Sequence, residues 1–112
     1  MKLFLTLLVM TSSGLAQANH FLYVVNKSAD SISIVDLSTL KVKHTIPVGN
    51  NPHEIAIAPD GSKAYVANAG GNSVSVVSLN TYTEIKKIRT PDFSFPHGII
   101  FTPDSRYALV TS

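Results

Sequence analysis

From residue 21 onward, apolar and polar positions alternate in short runs. Ile32 and Ile34, Ile55 and Ile57, Val74 and Val76, and Ile99 and Phe101 each lie two apart, with Ile88 close behind Ile85. A period of two sends successive side chains to opposite faces of an extended chain. The runs are rich in Val, Ile, Tyr and Phe and are bounded by Asn, Asp, Gly, Pro and Ser, the residues that turns select. No stretch of this region carries a 3.6-residue apolar stripe, so no substantial helix is expected. The pattern predicts strands over 21–26, 53–58, 64–68, 73–79 and 83–88.

These strands recur. Leu22-Tyr23-Val24-Val25-Asn26 returns as Ala64-Tyr65-Val66-Ala67-Asn68, 42 residues on. Asp30-Ser31-Ile32-Ser33-Ile34-Val35-Asp36-Leu37 matches Asn72-Ser73-Val74-Ser75-Val76-Val77-Ser78-Leu79 at the same spacing, and Thr39 falls on Thr81. Pro52-His53-Glu54-Ile55 then pairs with Pro96-His97-Gly98-Ile99, and Pro59-Asp60 with Pro103-Asp104, 44 residues on, so two residues are inserted between Leu79 and Pro96. A third copy opens with Tyr107-Ala108-Leu109-Val110 and stops at Ser112. The repeats run over about 21–63, 64–106 and 107–112. Four short strands in about 40–45 residues is the size of one propeller blade.

The turns agree with that count. Ala58-Pro59-Asp60-Gly61 offers Pro where φ near −65° starts a turn, Asp to bond local amides, and Gly where φ turns positive. Pro103-Asp104-Ser105 lacks the glycine, which calls for a left-handed serine or a slightly different turn. Tyr65-Val66-Ala67-Asn68, then Asn72-Ser73-Val74-Ser75-Val76, with Ile46-Pro47-Val48-Gly49 and Ile57-Ala58-Pro59-Asp60-Gly61 around them, resembles the YVTN-type β-propeller repeat of exported bacterial and archaeal proteins. The resemblance covers essentially all of 20–112 and implies fold and compartment; its motifs are strand and turn residues and imply no activity. Related propellers include lactonases and the haem-carrying propeller of dissimilatory nitrite reductase.

The fold class expected is therefore all-β, in blades of four antiparallel strands. In the phasing usual for such propellers, the strand before the Pro-Asp turn is innermost. The first copy then starts at its second strand, and the chain supplies about two blades and the start of a third, an incomplete ring. Closed propellers hold at least about four blades. The expectation is the N-terminal portion of a larger propeller or a truncated product; the other reading is a short chain that oligomerises to close a ring. Open blade faces would favour self-association.

The first residues read differently. Lys2, the apolar run 3–10, polar Thr11-Ser12-Ser13-Gly14 and the small residues of Ala16-Gln17-Ala18 have the layout of a secretory signal peptide over 1–18. The apolar run is far below the roughly 20 residues that cross a bilayer. Cleavage after Ala18 would leave a partial propeller over 19–112, secreted or periplasmic, with no membrane association of its own. Its 94 residues would lose Lys2 and carry a net charge of +1. A near-neutral surface argues against a nucleic-acid partner. The absence of Cys excludes disulfides, thiolate metal sites and thiol nucleophiles.

Candidate chemistry is sparse. There is no Gly-x-Ser-x-Gly elbow, His-Glu-x-x-His motif, phosphate-cradling loop or dinucleotide fingerprint, and no catalytic residue is assigned. His53 and His97 hold the same place in successive copies, each after a proline and each opening an innermost strand at the channel mouth. Equivalent positions become neighbours around a ring. Two imidazoles there can bind a metal, ligate a haem or receive an anionic or carbonyl group. The favoured reading is nonetheless a polar loop position that tolerates any residue, with His repeated by shared ancestry of the blades, since metal sites want three or four convergent ligands and two repeats show only two. Glu54 follows His53, but Gly98 follows His97, so no carboxylate accompanies both. His53, His97 and Glu54 are the candidate ligand-binding residues, with no resident cofactor expected; haem or metal stays open should other blades add ligands.

The remaining polar residues have structural readings. His20 and His44 are expected at the surface, Asp60 and Asp104 in their own turns, and Asn26 and Asn68 as caps of the following loops. Lys86, Lys87 and Arg89 suit an edge strand that avoids pairing. Phe93 and Phe95, in the inserted loop, are expected to pack. The function expected is a binding or interaction module whose mouth engages a small molecule or a protein. The alternative is the N-terminal part of a propeller enzyme or redox protein, lactonase-like or haem-binding, with channel-lining histidines.

Overall fold

The computed structural model describes residues 20–112; the leader reading of 1–18 lies outside the described residues. Nine strands follow one another: β1 Phe21–Asn26, β2 Ser31–Asp36, β3 Lys41–Pro47, β4 Pro52–Ile57, β5 Lys63–Asn68, β6 Ser73–Ser78, β7 Thr83–Ile88, β8 Ile99–Phe101 and β9 Ala108–Val110. Among the described residues a single 3-10 turn, Lys27–Ala29, interrupts them. They form three antiparallel meanders, β1-β2-β3, β4-β5-β6-β7 and β8-β9. This is part of a β-propeller, in sheets of three, four and two strands. The predicted strands and observed strands agree to within a residue at each end.

The sheets stack through apolar faces on both sides of the central one. On β5, Ala64 and Val66 face the first sheet, joining Ile32, Ile34 and Ile46, while Ala67 packs with Val74 and Ile99 toward the third. Alternation within β5 is thus between two apolar sets, which is why Ala64-Tyr65-Val66-Ala67 reads as a continuous apolar run, whereas β6 alternates its valines with the buried Ser73 and Ser75. The repeat extends to irregularities. Bulges fall between Ile34 and Val35 and between Val76 and Val77, the same place in each copy.

Repeat spacing locates the inserted residues. Ile88 pairs with Val74 as Ile46 pairs with Ile32, so the spacing of 42 survives to the end of β7, and the insertion lies in the loop that follows. In the third sheet Leu109 opposes Ile100 as Tyr65 opposes Ala56, so the spacing of 44 holds and Tyr107 occupies the place of Lys63.

The Pro-Asp turns form as expected. Asp60 Oδ1 accepts from the Ser62 amide at 2.9 Å, and Asp104 Oδ1 from the Arg106 amide at 3.1 Å. Bonds from the Ser62 amide and hydroxyl hold the Asp60 carboxyl below the usual carboxylate range, and the Thr102 hydroxyl followed by the Arg106 amide does the same for Asp104. Ser105 adopts φ 59°, the left-handed conformation that Gly61 reaches at φ 72°. Left-handed backbone costs a non-glycine residue about 1–2 kcal/mol, against about 0.5–1 kcal/mol of extra chain entropy for glycine. Ser105→Gly is therefore expected to raise stability by about 0.5–1 kcal/mol, read as a higher urea midpoint; an unchanged or lower midpoint would contradict the strain.

Candidate functional site

The candidate site is built where β4 and β8 begin. Each start is fixed from the preceding sheet. Asp30, in the β1–β2 turn, accepts the Asn51 amide on Oδ1 at 2.7 Å, and Asn72, in the β5–β6 turn, accepts the Phe95 amide on Oδ1 at 2.9 Å. All four residues have positive φ, between 42° and 58°. Asp and Asn tolerate that conformation because their short polar side chains bond locally. The following prolines, Pro52 and Pro96, are fully buried. A side-chain clamp and a buried proline thus place each succeeding histidine.

His53 and His97 come together, their ring centroids 3.8 Å apart with planes inclined by 38°. His97 Nδ1 lies 3.4 Å from Glu54 Oε1, an ion pair when the imidazole is protonated. Glu54 therefore serves the histidine of the next sheet, which corrects the expectation that no carboxylate accompanies both. Both side chains are half-exposed, 46% for His97 and 45% for Glu54. His53 Nδ1 is buried with no hydrogen-bond partner. The His97 amide donates to Thr111 O at 3.0 Å and the Gly98 amide to Thr111 Oγ1 at 2.8 Å, anchoring the loop to the strand beside it. A Cβ at residue 98 would sit 2.9 Å from Thr111 Oγ1, so glycine is what allows this approach.

Other polar candidates stay apart. Asp60 and Asp104 remain in separate turns, and His20 is exposed. Asn26 and Asn68 turn inward to the serines of the neighbouring strand rather than capping loops. Lys87 pairs with Glu84 at 3.3 Å on β7, the edge of its sheet. His44 departs from the expected surface position: half-buried, it stacks on Tyr82 of the next sheet at 3.7 Å and 15°. The two phenylalanines divide. Phe93 packs beneath the second and third sheets, whereas Phe95 is 57% exposed, its ring 6.4 Å from that of His97. Asp30 and Asn72 are positioning residues whose signal in the sequence is their shared place in the repeat, ahead of the Pro-His steps.

An apolar cavity of about 310 Å³ runs beside Glu54, lined by Gly98, Ile99, Ile100, Leu109, Val110 and Thr111. Ile100 and Leu109 hold the places of Ala56 and Tyr65, which in the second sheet pack toward the third, Tyr65 edge-on to Phe101 at 4.8 Å. Its apolar wall therefore repeats a blade-stacking face, and the polar chemistry is confined to the histidine end.

Stacked antiparallel meanders that repeat the same strand-opening position define part of a β-propeller. Residues 13–91 match the family model described as "Lactonase, 7-bladed beta-propeller", and the chain belongs to that family. It is similar to "Antigen Lp49" of Leptospira interrogans, 29% identical over 102 residues, which cover 80% of this chain and 22% of that protein. Among solved structures it is similar to the hydrazine synthase of Kuenenia stuttgartiensis, with a TM-score of 0.77 and 38% identity over 81% of this chain and 25% of that one. A likeness to a functionally unknown protein of Desulfotomaculum acetoxidans, TM-score 0.73 and 22% identity over 84% and 32% of the two chains, shows the fold alone. The chain spans about a quarter of the first two proteins' lengths.

Proposed function

We propose that the chain contributes the mouth of an exported β-propeller that binds a small molecule, with His53, His97 and Glu54 receiving its polar group. The observation that carries this reading is the meeting of His53 and His97 at 3.8 Å from equivalent positions of successive sheets, with Glu54 across from His97. An imidazole N–H donates, so the histidine pair fits a carboxylate or carbonyl oxygen approached from solvent. Export rests on the layout of residues 1–18, and a relative named as an antigen fits it.

The test is a metal-free titration by NMR, with EDTA present and succinate and δ-valerolactone as probes. The ring resonances of His53 and His97 are expected to shift with either probe while those of His20 and His44 stay still. Equal shifts at all four histidines, or none, would refute the mouth reading. The family description favours a second reading, in which the complete propeller opens lactones. Acid release from δ-valerolactone that disappears in His97→Gln would support it, and binding without release would leave the module.

A further inference from the structure

We propose that His53, Glu54 and His97 form a three-ligand site for a borderline divalent cation of the zinc type, with a coordination position left for water or a ligand oxygen. The inference rests on the mouth reading above and names what the mouth holds. Two imidazole nitrogens and one carboxylate oxygen, without a thiolate, are the donor set that suits zinc, nickel or ferrous iron rather than calcium or magnesium. One donor atom from each of the three residues lies within 4.8 Å of the others. Among the described residues this is the one group of three such side chains that meets this spacing.

Geometry sets the movement required. Ligands at about 2.0–2.2 Å from a tetrahedral ion stand roughly 3.3–3.6 Å apart, so donors that lie within 4.8 Å of one another must close by at most about 1.5 Å. Glu54 and His97, half-exposed, can do so by a change of rotamer, while His53, whose Nδ1 is buried, provides the fixed point. Shared ancestry of the blades accounts for a histidine at both places. It does not account for the reach of Glu54 across the sheet boundary to His97, or for a buried His53 Nδ1 without a partner. Three protein ligands with an open position leave the fourth place to a water or a ligand oxygen, unlike the closed four-ligand set of a structural zinc. A bound cation would receive the carboxylate or carbonyl oxygen that the imidazoles alone hold weakly.

The experiment is a Zn²⁺ titration of the purified protein by calorimetry, in a His20→Gln, His44→Gln background that removes the two other histidines. One zinc per chain is expected, weakened at least tenfold by Glu54→Gln and abolished by His53→Gln or His97→Gln. In the same background without further substitution, zinc should shift the ring resonances of His53 and His97, a readout that does not depend on a variant folding. Absence of saturable binding, or binding unchanged in His97→Gln, would overturn the site. Absent zinc binding with the metal-free probe shifts intact overturns the metal site alone; loss of both overturns the mouth reading with it.

Discussion

Asn68→Ala is expected to cost about 2–4 kcal/mol of folding stability, and Asn26→Ala, the same substitution one repeat earlier, only about 0.5–1.5 kcal/mol. Both asparagines make the same bonds. Asn68 Nδ2 donates to Ser73 Oγ at 3.2 Å and Ser75 Oγ at 2.8 Å, and Asn26 Nδ2 to Ser31 Oγ and Ser33 Oγ at the same two distances. Their surroundings differ. Asn68, Ser73 and Ser75 are 0% exposed, whereas Asn26 and Ser33 are half-buried. Removing the amide from the inner network leaves the Ser73 hydroxyl without that donor and opens a void that water does not fill, adding a desolvation cost of about 1–3 kcal/mol to the lost packing. At Asn26 water replaces the amide. Urea unfolding of the two variants measures the contrast; equal losses would show that burial does not set the worth of this device.

That contrast shows where sequence reading works and where it stops. The period-two pattern and the spacing of 42 residues located the strands because each blade must present an apolar face to each neighbour, and that demand is written locally. The site was half legible. His53 and His97 stand in one column of the repeat, and rotation about a common axis brings column members together. Glu54 was hidden by the same comparison, which sets it against Gly98 when its contact runs diagonally to His97. His44 lies two residues before buried Ile46 and so on its face; an edge strand exposes its outer backbone, but its inner face still follows the alternation. The split between Phe93 and Phe95 was illegible because the inserted loop has no counterpart to align; Phe95, its amide bonded to Asn72 and its φ at 58°, leaves its ring exposed.

Gly49→Ala is expected to destabilise the protein by about 1–3 kcal/mol through overpacking. A Cβ there would fall 2.5 Å from Asn68 Nδ2, 2.6 Å from its Cγ and 2.9 Å from its Cβ. The amide cannot swing aside, because the two serine hydroxyls fix it, and the Gly49 amide itself donates to Ser75 Oγ at 3.2 Å. Gly49 belongs to the connector between β3 and β4, so this contact locks the link between sheets onto the interior of the second. Combining Gly49→Ala with Asn68→Ala removes the Nδ2 and Cγ obstacles but keeps the Cβ at 2.9 Å, so the rescue is partial. The pair should cost less than the sum of the single substitutions, with a coupling of about 1–2 kcal/mol in a double-mutant cycle. Additive losses would mean that the methyl group is accommodated elsewhere and that the Asn68 side chain does not set the space at Gly49.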